Sequence, residues 1–275
     1  MKTMNKFGLK TLSLITDLIP AQFEAEILDR GDYLVWKTSS QPNYFWGNFL
    51  IFREAPERDV FKDWKRLYQM EFETENPTFY TFTWDSPNFN PTYLKSFMDH
   101  GFRLDIETTL VTKRPELPPK INKDIVVKPI VSEADWNSLP EVHVNPNSSR
   151  SIDSQIEFQK SRIKTFKELS KRKFGHRFGA YLEGKLVGDL GLYHQDGIAR
   201  FNEVATHHEY YRRGICQTLV YHSCIHAIEN FEVSTLVMVA VDDYHAINAY
   251  KKVGFTALEK SYSLTWWDRK IFGEM

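Results

Sequence analysis

Residues 204–219 carry the pattern in this chain that most directly predicts chemistry. The segment VATHHEYYRRGICQTL lies where a predicted strand ends and a predicted helix begins. The first amides of a helix have no acceptor within it, and the helix dipole places partial positive charge there. Gly214 lets the main chain come close to a ligand, while Arg212 and Arg213 add positive charge. The segment therefore predicts a phosphate-binding turn; the alternative is an ordinary helix start with solvated arginines.

Other reactive side chains lie close to this turn in the sequence. Cys216 could form a covalent acyl intermediate, because a helix N-terminus favours the thiolate. His207 and His208 titrate near neutral pH and are candidates for proton transfer, although we favour surface positions for both. Asp242 and Asp243 have no third ligand spaced to join them, so we predict no metal site and expect Asp243 to cap a helix.

The elements that must position these residues are clearest after residue 123. The pattern predicts strands over 124–130, 176–182, 186–193, 199–206, 235–241 and 255–266, with helices over 133–139, 152–171, from 215 onward and over 246–252. Gly184 and Gly197 mark hairpin turns, whereas the unbroken apolar run over 235–241 fits a buried parallel strand. This half is therefore expected to be an α/β (α+β) domain, a mixed, mostly antiparallel sheet flanked by helices.

The N-terminal half repeats this order of elements more faintly. It predicts helices over 12–19, 56–72 and 91–100 and strands over 33–37, 44–52 and 79–84. Residues 113–123 contain three prolines among charged residues, which predicts a linker. Residues 96–102 and 249–255 both pass from a short helix through Gly-Phe into an extended segment. We therefore predict two related domains in tandem, residues 1–112 and 124–275.

Composition limits the classes of function. The chain has 275 residues, of which 42% are hydrophobic and 26% charged, a composition typical of globular proteins. Its net charge of -1 offers no overall basic field to nucleic acid or anionic lipid. Two cysteines exclude a disulfide framework, and no apolar run approaches the roughly 20 residues of a membrane helix. We expect a cytoplasmic protein that binds neither membrane nor nucleic acid.

The turn at residues 211–216 resembles the coenzyme-binding motif of the GNAT N-acetyltransferase superfamily, Gln/Arg-x-x-Gly-x-Gly/Ala, which begins the helix after the fourth strand. Gly214 matches this motif outright, whereas Tyr211 replaces Gln/Arg and Cys216 replaces Gly/Ala. Because the family uses a small residue at the position of Cys216, the resemblance favours packing over covalent catalysis there.

A second mark of the family is a short helix with the pattern Asn-x-x-Ala-x-x-x-Tyr, followed by Gly-Phe. Ala246, Tyr250 and Gly254 fit this pattern, and Asp243 stands in place of Asn. Both marks occur in the family's order, separated by an apolar strand. Residues 124–275 are thus similar to a complete GNAT domain, and the fold class implied is two GNAT-like domains in tandem.

The resemblance implies acetyl-CoA as the co-substrate, with no metal. It places the coenzyme pyrophosphate on the turn and the pantetheine arm along the edge of the fourth strand, which splays from the fifth to leave a slot for the thioester. The implied coenzyme-binding residues are Val204, Ala205, Thr206, Tyr211, Arg212, Arg213, Gly214, Ile215, Cys216, Gln217, Thr218, Asp243 and Ala246.

The resemblance also implies roles in catalysis. Acetyl transfer requires a neutral amine and a proton for the departing thiolate. Tyr250 lies where the family places its general acid, although a hydroxyl that only packs on the helix is the alternative. Glu203, on the strand beside the slot, is a candidate general base acting through water; a solvated strand carboxylate is the competing interpretation.

The N-terminal half departs from the motif. Residues 53–60 (REAPERDV) follow its aromatic strand without a glycine and with an acidic surplus, and Phe97 stands at the position matching Tyr250. We therefore expect a degenerate GNAT-like domain that has lost the coenzyme and shapes the acceptor side. Its aromatic cluster of Tyr44, Phe45 and Trp46 could line an acceptor pocket, but a core position is the favoured interpretation.

These inferences predict an N-acetyltransferase that moves an acetyl group from acetyl-CoA to a primary amine by direct attack in a ternary complex. The acceptor is an unidentified small molecule or peptide, because acceptor loops of this fold carry no general code. Transfer of another acyl or aminoacyl group and a non-catalytic acyl-CoA sensor are the alternatives. The sequence does not predict the oligomeric state.

Overall fold

The computed structural model describes residues 4–242 and 246–273, which divide into two compact units. Unit 1 comprises Met1–Thr108 and Glu259–Glu274, and unit 2 comprises Thr109–Leu258. These units differ from the predicted domains of residues 1–112 and 124–275. The last strand of each half of the sequence, Arg103–Thr112 or Thr256–Trp267, is divided between the two units. Each unit therefore includes part of a strand from the other half of the sequence. The predicted linker over 113–123 lies within unit 2.

Unit 1 is a mixed sheet with helices. Its strands are β1 (Glu26–Asp29), β2 (Tyr33–Lys37), β3 (Asn48–Phe52), β4 (Phe79–Trp84), the first part of β5 (Arg103–Thr112) and the later part of β11 (Thr256–Trp267). Its helices are α1 (Leu12–Ala21), α2 (Phe61–Glu71), α3 (Lys95–Asp99) and α8 (Arg269–Phe272). The strand order is β1-β2-β3-β4-β11-β5. The β3–β4 pair is parallel, and β1–β2, β2–β3 and β4–β11 are antiparallel.

Unit 2 repeats this arrangement with longer strands. Its strands are the end of β5, β6 (Ile125–Pro129), β7 (Gly175–Leu182), β8 (Lys185–Gln195), β9 (Ile198–Thr206) and β10 (Thr235–Val241), in the order β5-β10-β9-β8-β7-β6. Its helices are α4 (Glu133–Val142), α5 (Ile152–Lys171), α6 (Ile215–Asn230) and α7 (Ala246–Lys251). The β9–β10 pair is parallel, and the β6–β7, β7–β8 and β8–β9 pairs are antiparallel. The predicted mixed, mostly antiparallel sheet is confirmed in this unit.

Alternation along the strands of unit 2 assigns its two faces. Phe178 and Leu190 belong to a hydrophobic core with α6 residues such as Leu219. Successive side chains of a strand point to opposite faces, so the neighbouring Arg177 and Asp189 lie on the other face. Helix α5 buries Gln159, Arg162, Phe166 and Leu169, which are spaced to form one side of a helix. A polar cluster at Arg177 and Asp189 is therefore set apart from the apolar core beneath α6.

The structure departs from the predicted elements mainly in the N-terminal half. The short strand β1 was not predicted, and the predicted strand over 44–52 begins as a 3-10 turn at Phe45–Gly47 before β3. The predicted helix over 56–72 begins only at Phe61, because Pro56 precedes an irregular stretch. No helix within 4–242 or 246–273 is both long enough and apolar enough to span a bilayer.

Three histidines surround the ring of Phe231 near the C-terminus of α6. The ring centroids of His194, His226 and His176 lie 4.4, 5.3 and 5.6 Å from that of Phe231. Burial lowers the pKa of each of these three imidazoles below its ordinary value. The folded state of unit 2 therefore favours their neutral forms.

This cluster predicts that unit 2 is destabilised by acid. In the unfolded chain these histidines take up protons near pH 6.5, above their lowered pKa values in the folded state. Their neutral forms therefore contribute fully to the stability of unit 2 above about pH 7, and this contribution is lost as the pH falls towards about 5. Chemical denaturation across this range should give a smaller pH dependence for His194→Phe than for the parent chain. His222→Phe, on the exposed side of α6, is the control; equal pH dependence in all three proteins contradicts the prediction.

Candidate coenzyme-binding turn and slot

The turn before α6 presents a row of main-chain donors. Gly214 caps the helix with a φ of +80°, and Arg212 is also left-handed with a φ of +62°. The first closed helical bond is from Thr218 N–H to the Gly214 carbonyl, at 3.1 Å. Within the described part of the chain, the N–H groups of residues 212–217 have no acceptor. The main-chain donors that a phosphate-binding turn requires are therefore unoccupied over 212–217, whereas Tyr211 N–H is bonded to the carbonyl of His208.

The proline-rich segment 113–123 lies directly against this turn. The ammonium of Lys120 donates to the carbonyl of Arg212, and the Asn122 side chain donates to the carbonyl of Arg213 at 2.9 Å. The main-chain N–H of Asn122 donates to Thr218 Oγ1, also at 2.9 Å. These bonds use carbonyls and a hydroxyl of the turn. Its free N–H groups remain available, and the segment serves as a support for the turn.

This support changes the reason why residue 214 is glycine. A Cβ added at Gly214 would lie 2.7 Å from the carbonyl oxygen of Lys120. This distance is too short for a non-bonded contact, so the main chain would have to shift. The sequence predicts that a ligand approaches Gly214 here, but the main chain of Lys120 occupies this space. Gly254 is similar: its φ is +88°, and an added Cβ would lie 3.1 Å from the carbonyl of Arg114. Both signature glycines thus accommodate the 113–123 segment.

Beside the turn, β9 and β10 are paired over only part of their lengths. The parallel register runs from Ile198 with Thr235 to Arg200 with Val237 and ends there. Strand β9 nevertheless continues to Thr206 and β10 to Val241. The edge of β9 over 204–206, predicted to face pantetheine, lies beyond the last registered pair. Its other edge stays paired with β8 through Ala205 and Thr206.

The candidate base Glu203 lies within this part of β9, after the last registered pair at Arg200. Its carboxylate Oε1 accepts a hydrogen bond from Arg162 Nε at 3.2 Å, and its Oε2 lies 3.9 Å from Arg177 Nη2. Oε2 is buried and accepts no hydrogen bond. Glu203 thus lies on the strand whose 204–206 edge was predicted to face pantetheine, and it is an ion-pair partner of two guanidinium groups.

A buried polar cluster behind Glu203 was not found by sequence reasoning. Arg177 and Asp189 are fully buried and bonded to each other, and His143 Nε2 lies 2.8 Å from Asp189 Oδ1. Burial alone would raise the pKa of Asp189, but the charge of Arg177, aided by His143, lowers it. The sequence contained one indication of this cluster, the opposite charges of Arg177 and Asp189 on the two strands that flank Gly184. A hairpin places these two residues diagonally across one face of the sheet.

The candidate acid Tyr250 lies on α7, after the strand that diverges from β9. Its side chain is 5% exposed and packs in the core of unit 2 with residues such as Met238 and Phe255. Its carbonyl accepts the N–H groups of Val253 and Phe255, which ends the helix before Gly254. Ala246 begins α7 and is partly buried against the same core, whereas Asp243 lies outside the described residues.

The remaining predicted residues divide into inward and outward positions. Ile215, Gln217 and Thr218 are buried, so only their main chains can face a ligand, while Tyr211 is exposed. Burial raises the pKa of the Cys216 thiol to about 12, which keeps it protonated at neutral pH. Cys216 is therefore suited to packing and not to nucleophilic attack. Residues 4–242 and 246–273 contain no group of three or more His, Cys, Asp or Glu that could hold a metal ion.

The histidines beside the turn stack on each other. The rings of His207 and His208 lie 4.5 Å apart, and burial, together with His208, lowers the pKa of His207.

Two cationic side chains lie against the ring of Tyr210, next to the turn. The guanidinium of Arg213 is 5.0 Å from the ring centroid, and the ammonium of Lys185 is 5.5 Å from it. Positive charge is therefore concentrated around the turn. It includes the ammonium of Lys185, which was not among the predicted coenzyme-binding residues.

The corresponding place in unit 1 is closed. Parallel strands β3 and β4 stay paired to their last residues, where Phe52 pairs with Trp84. The ring of Trp64, on α2, stacks on Phe52 with a centroid distance of 3.8 Å. Phe97, at the position matching Tyr250, is fully buried. Unit 1 therefore has aromatic packing where unit 2 has diverging strands.

The aromatic cluster proposed as an acceptor lining is divided between core and surface. Phe45 is buried and its ring stacks on Phe79 at 4.4 Å. Trp46 is 39% exposed and touches Phe49 edge-on. Phe45 is therefore a core residue of unit 1, whereas Trp46 borders solvent.

Comparisons with known proteins agree with this geometry. Residues 141–255 match the family model described as Acetyltransferase (GNAT) family, whereas a search of curated proteins found no match. A functionally unknown conserved protein from Staphylococcus epidermidis ATCC 12228 has a TM-score of 0.71 at 14% identity, covering 88% of this chain and 94% of that one. A GCN5-related N-acetyltransferase from Kribbella flavida has a TM-score of 0.62 at 12% identity, covering 91% and 92%.

A tandem protein is also among the similar solved structures. A tandem GNAT protein from the clavulanic acid biosynthesis pathway has a TM-score of 0.52 at 13% identity, covering 80% of this chain and 75% of that one. At these identities the likeness concerns the fold alone. It confirms the predicted fold class, an α/β protein with the GNAT fold.

Proposed function

We propose that this chain is a cytoplasmic GNAT N-acetyltransferase that moves an acetyl group from acetyl-CoA to a primary amine by direct attack in a ternary complex. The observation that carries the proposal is the row of N–H groups over 212–217, which has no acceptor in the described part of the chain and adjoins the diverging edge of β9. The match of residues 141–255 to the acetyltransferase family supports it.

The residues of the turn suit the pyrophosphate of coenzyme A. The N–H groups over 212–217 supply donors at a helix N-terminus, and Arg212 and Arg213 add charge. The main chain over 204–206 lies beyond the last pair with β10, so it can bond to the amides of a pantetheine arm. Acetyl-CoA supplies the activated thioester, and the protein supplies orientation and proton transfer.

Two side chains are assigned to the proton transfers. The new C–N bond forms as the C–S bond breaks, while one proton leaves the amine and another reaches the thiolate. We assign the second proton to the phenol of Tyr250, on α7. We assign the first to Glu203 through Oε2, the oxygen that accepts no hydrogen bond. Replacement of Glu203 by Gln removes this base and should lower kcat without abolishing coenzyme binding.

Unit 1 is proposed to be the degenerate partner of this domain. Its equivalent strands are paired to their ends and its helix α2 begins with an acidic residue, Asp63, in the first turn. Negative charge at a helix N-terminus opposes phosphate binding. We therefore propose that unit 1 binds no coenzyme. The amine acceptor of unit 2 is proposed to be a small molecule or a peptide.

A thermal melt with acetyl-CoA tests the proposal directly. Ligand at about a hundred times its dissociation constant stabilises a protein by about 2.7 kcal/mol, a rise in Tm of about 5 °C or more for a chain of this size. S-acetyl pantetheine, which lacks the phosphates, should give a much smaller rise. Thiol release with a panel of amines then identifies turnover. Absence of any rise with acetyl-CoA contradicts the proposal.

A non-catalytic acyl-CoA sensor is the second candidate. It is favoured by the contact of Glu203 with two guanidinium groups, which occupies the proposed base. A sensor raises its Tm with acetyl-CoA but releases no thiol with any amine. Propionyl-CoA and longer acyl-CoA thioesters in the same assay separate acetyl transfer from transfer of another acyl group.

The support from the 113–123 segment gives a prediction of moderate size. Asn122→Ala removes the side-chain bond to the Arg213 carbonyl. Because one hydrogen bond contributes about 0.5–1.5 kcal/mol, the dissociation constant for acetyl-CoA should rise about threefold to tenfold in calorimetry. Asn230→Ala is the matched control, since its side chain also donates to a main-chain carbonyl, at the other end of α6. An equal effect of both variants would refute the assigned support.

A further inference from the structure

The pairing of β8 with β9 is interrupted beside the proposed slot. Gly191 pairs with Asn202 and Asp189 with Ala205, so two residues of β9 oppose one residue of β8. One of the two, Glu203, has a φ of +49°. This left-handed conformation is unfavourable for a residue with a Cβ and persists only when its surroundings hold it. A bulge of this kind bends its strand and increases the local twist.

Two guanidinium groups hold the bulged residue. Arg177 Nη2 donates to the main-chain carbonyl of Glu203 at 3.2 Å. Arg162 Nε donates to its carboxylate, also at 3.2 Å. Both the main chain and the side chain of Glu203 are therefore bonded to buried cationic groups that come from different elements, β7 and α5.

Arg177 is itself held on several sides. Its Nε donates to Asp189 Oδ2, its Nη2 lies 3.0 Å from His143 Nε2, and its guanidinium lies 4.2 Å from the ring centre of Phe166. Asp189 pairs in register with Ala205, the second residue after Glu203. The fixed cation is thus bonded to both strands of the interrupted pair.

We propose that Arg177 is a positioning residue for acetyl transfer, because it holds the carbonyl of Glu203 and thereby the bulge that directs the 204–206 edge away from β10. Residues after the bulge lie beyond the last β9–β10 pair, as the slot requires. The inference rests on the proposed function, since it assigns a purpose to the edge that would bind pantetheine. It leaves Arg177 without contact to the reacting atoms.

Replacement of Arg177 by Lys tests this assignment. A lysine can keep the pair with Asp189, but its single ammonium cannot reproduce the planar fork that also reaches the Glu203 carbonyl. The dissociation constant for acetyl-CoA in calorimetry should rise about tenfold, the loss expected for one charge-assisted hydrogen bond. Hydrogen exchange of the amides over 203–206 should become faster, while the core amides of α6 keep their protection. Arg172→Lys, at an exposed ion pair with Glu168, is the matched control.

A second substitution provides the rescue. Glu203→Gly accepts a positive φ without a Cβ, so the Arg177→Lys and Glu203→Gly double variant should recover affinity to within about threefold of the parent chain. If Arg177→Lys does not fold, the acetyl-CoA affinities of Glu203→Gly and Glu203→Val are compared instead. Glycine keeps acetyl-CoA affinity, and valine, which resists a positive φ, loses about tenfold or more.

The outcomes separate this inference from the proposed function. No acetyl-CoA binding by the parent chain overturns the proposed function. Binding by the parent chain with equal affinity in Arg177→Lys overturns the inference alone. Weaker binding accompanied by faster exchange throughout unit 2 also overturns it, because the role of Arg177 is then general stability. Equal affinity of Glu203→Gly and Glu203→Val does the same.

Discussion

Replacing Tyr250 by Phe is expected to lower kcat by about a hundredfold to ten-thousandfold, the contribution of a positioned general acid. The substitution removes only the hydroxyl, and the ring keeps its place in the core of unit 2. Acetyl-CoA affinity should therefore stay the same in calorimetry. Since a phenol donates its proton only while protonated, the loss should be largest at and below neutral pH and should shrink in alkali.

Tyr221→Phe is the matched control for this prediction. Tyr221 also packs against the core of unit 2, but it lies on α6 and not on α7. Its variant should keep full turnover and an unchanged pH profile. Undiminished turnover in Tyr250→Phe would show that the acid is another group or that thiolate leaves unassisted. Loss of coenzyme affinity in Tyr250→Phe would instead assign the hydroxyl to binding.

Replacing Gly214 by Ala is expected to weaken acetyl-CoA binding by about thirtyfold to 150-fold, the loss of two or three hydrogen bonds of about 1 kcal/mol each. Alanine at a φ of +80° is strained by about 1–2 kcal/mol. Its Cβ would also lie 2.7 Å from the Lys120 carbonyl, so the segment 113–123 must move. The N–H groups over 212–217 would then lose their common orientation.

The hairpin glycine Gly184 separates these two causes. Its φ of +82° is nearly the same, but an added Cβ meets nothing within 4 Å. Gly184→Ala should therefore cost only the strain of its backbone, about 1–2 kcal/mol in denaturant unfolding, with acetyl-CoA affinity unchanged. Gly214→Ala should lose more stability than this, and affinity as well. Equal effects of the two variants on stability and binding would contradict the role given to the 113–123 contact.

The sequence located the turn because its signals are local. A glycine and two arginines before a helix, and a strand of β-branched residues, are patterns of neighbouring residues. Hairpin turns at Gly184 and Gly197 set the order of β7, β8 and β9 for the same reason. These elements follow from a few residues each, and their positions agree with the prediction.

Contacts between distant segments were beyond the reach of the sequence. The 113–123 segment has the composition of a linker, but its bonds to the turn depend on residues about ninety positions away. The burial of Arg177 depends equally on Asp189, His143 and Glu203, which meet only after the sheet and α4 have formed. The division of β5 and β11 was unpredictable because any extended apolar strand can pair with several partners.

The division of the two strands has a consequence for synthesis on the ribosome. Unit 1 needs residues 259–267, which are translated long after β4, and β4 lacks its β11 partner until they emerge. The first half of the nascent chain therefore waits, with the edge of β4 unpaired, while more than a hundred further residues are added. Unit 1 can complete its sheet only after these residues emerge, so a chain that stalls earlier leaves an exposed β-edge for chaperones to protect.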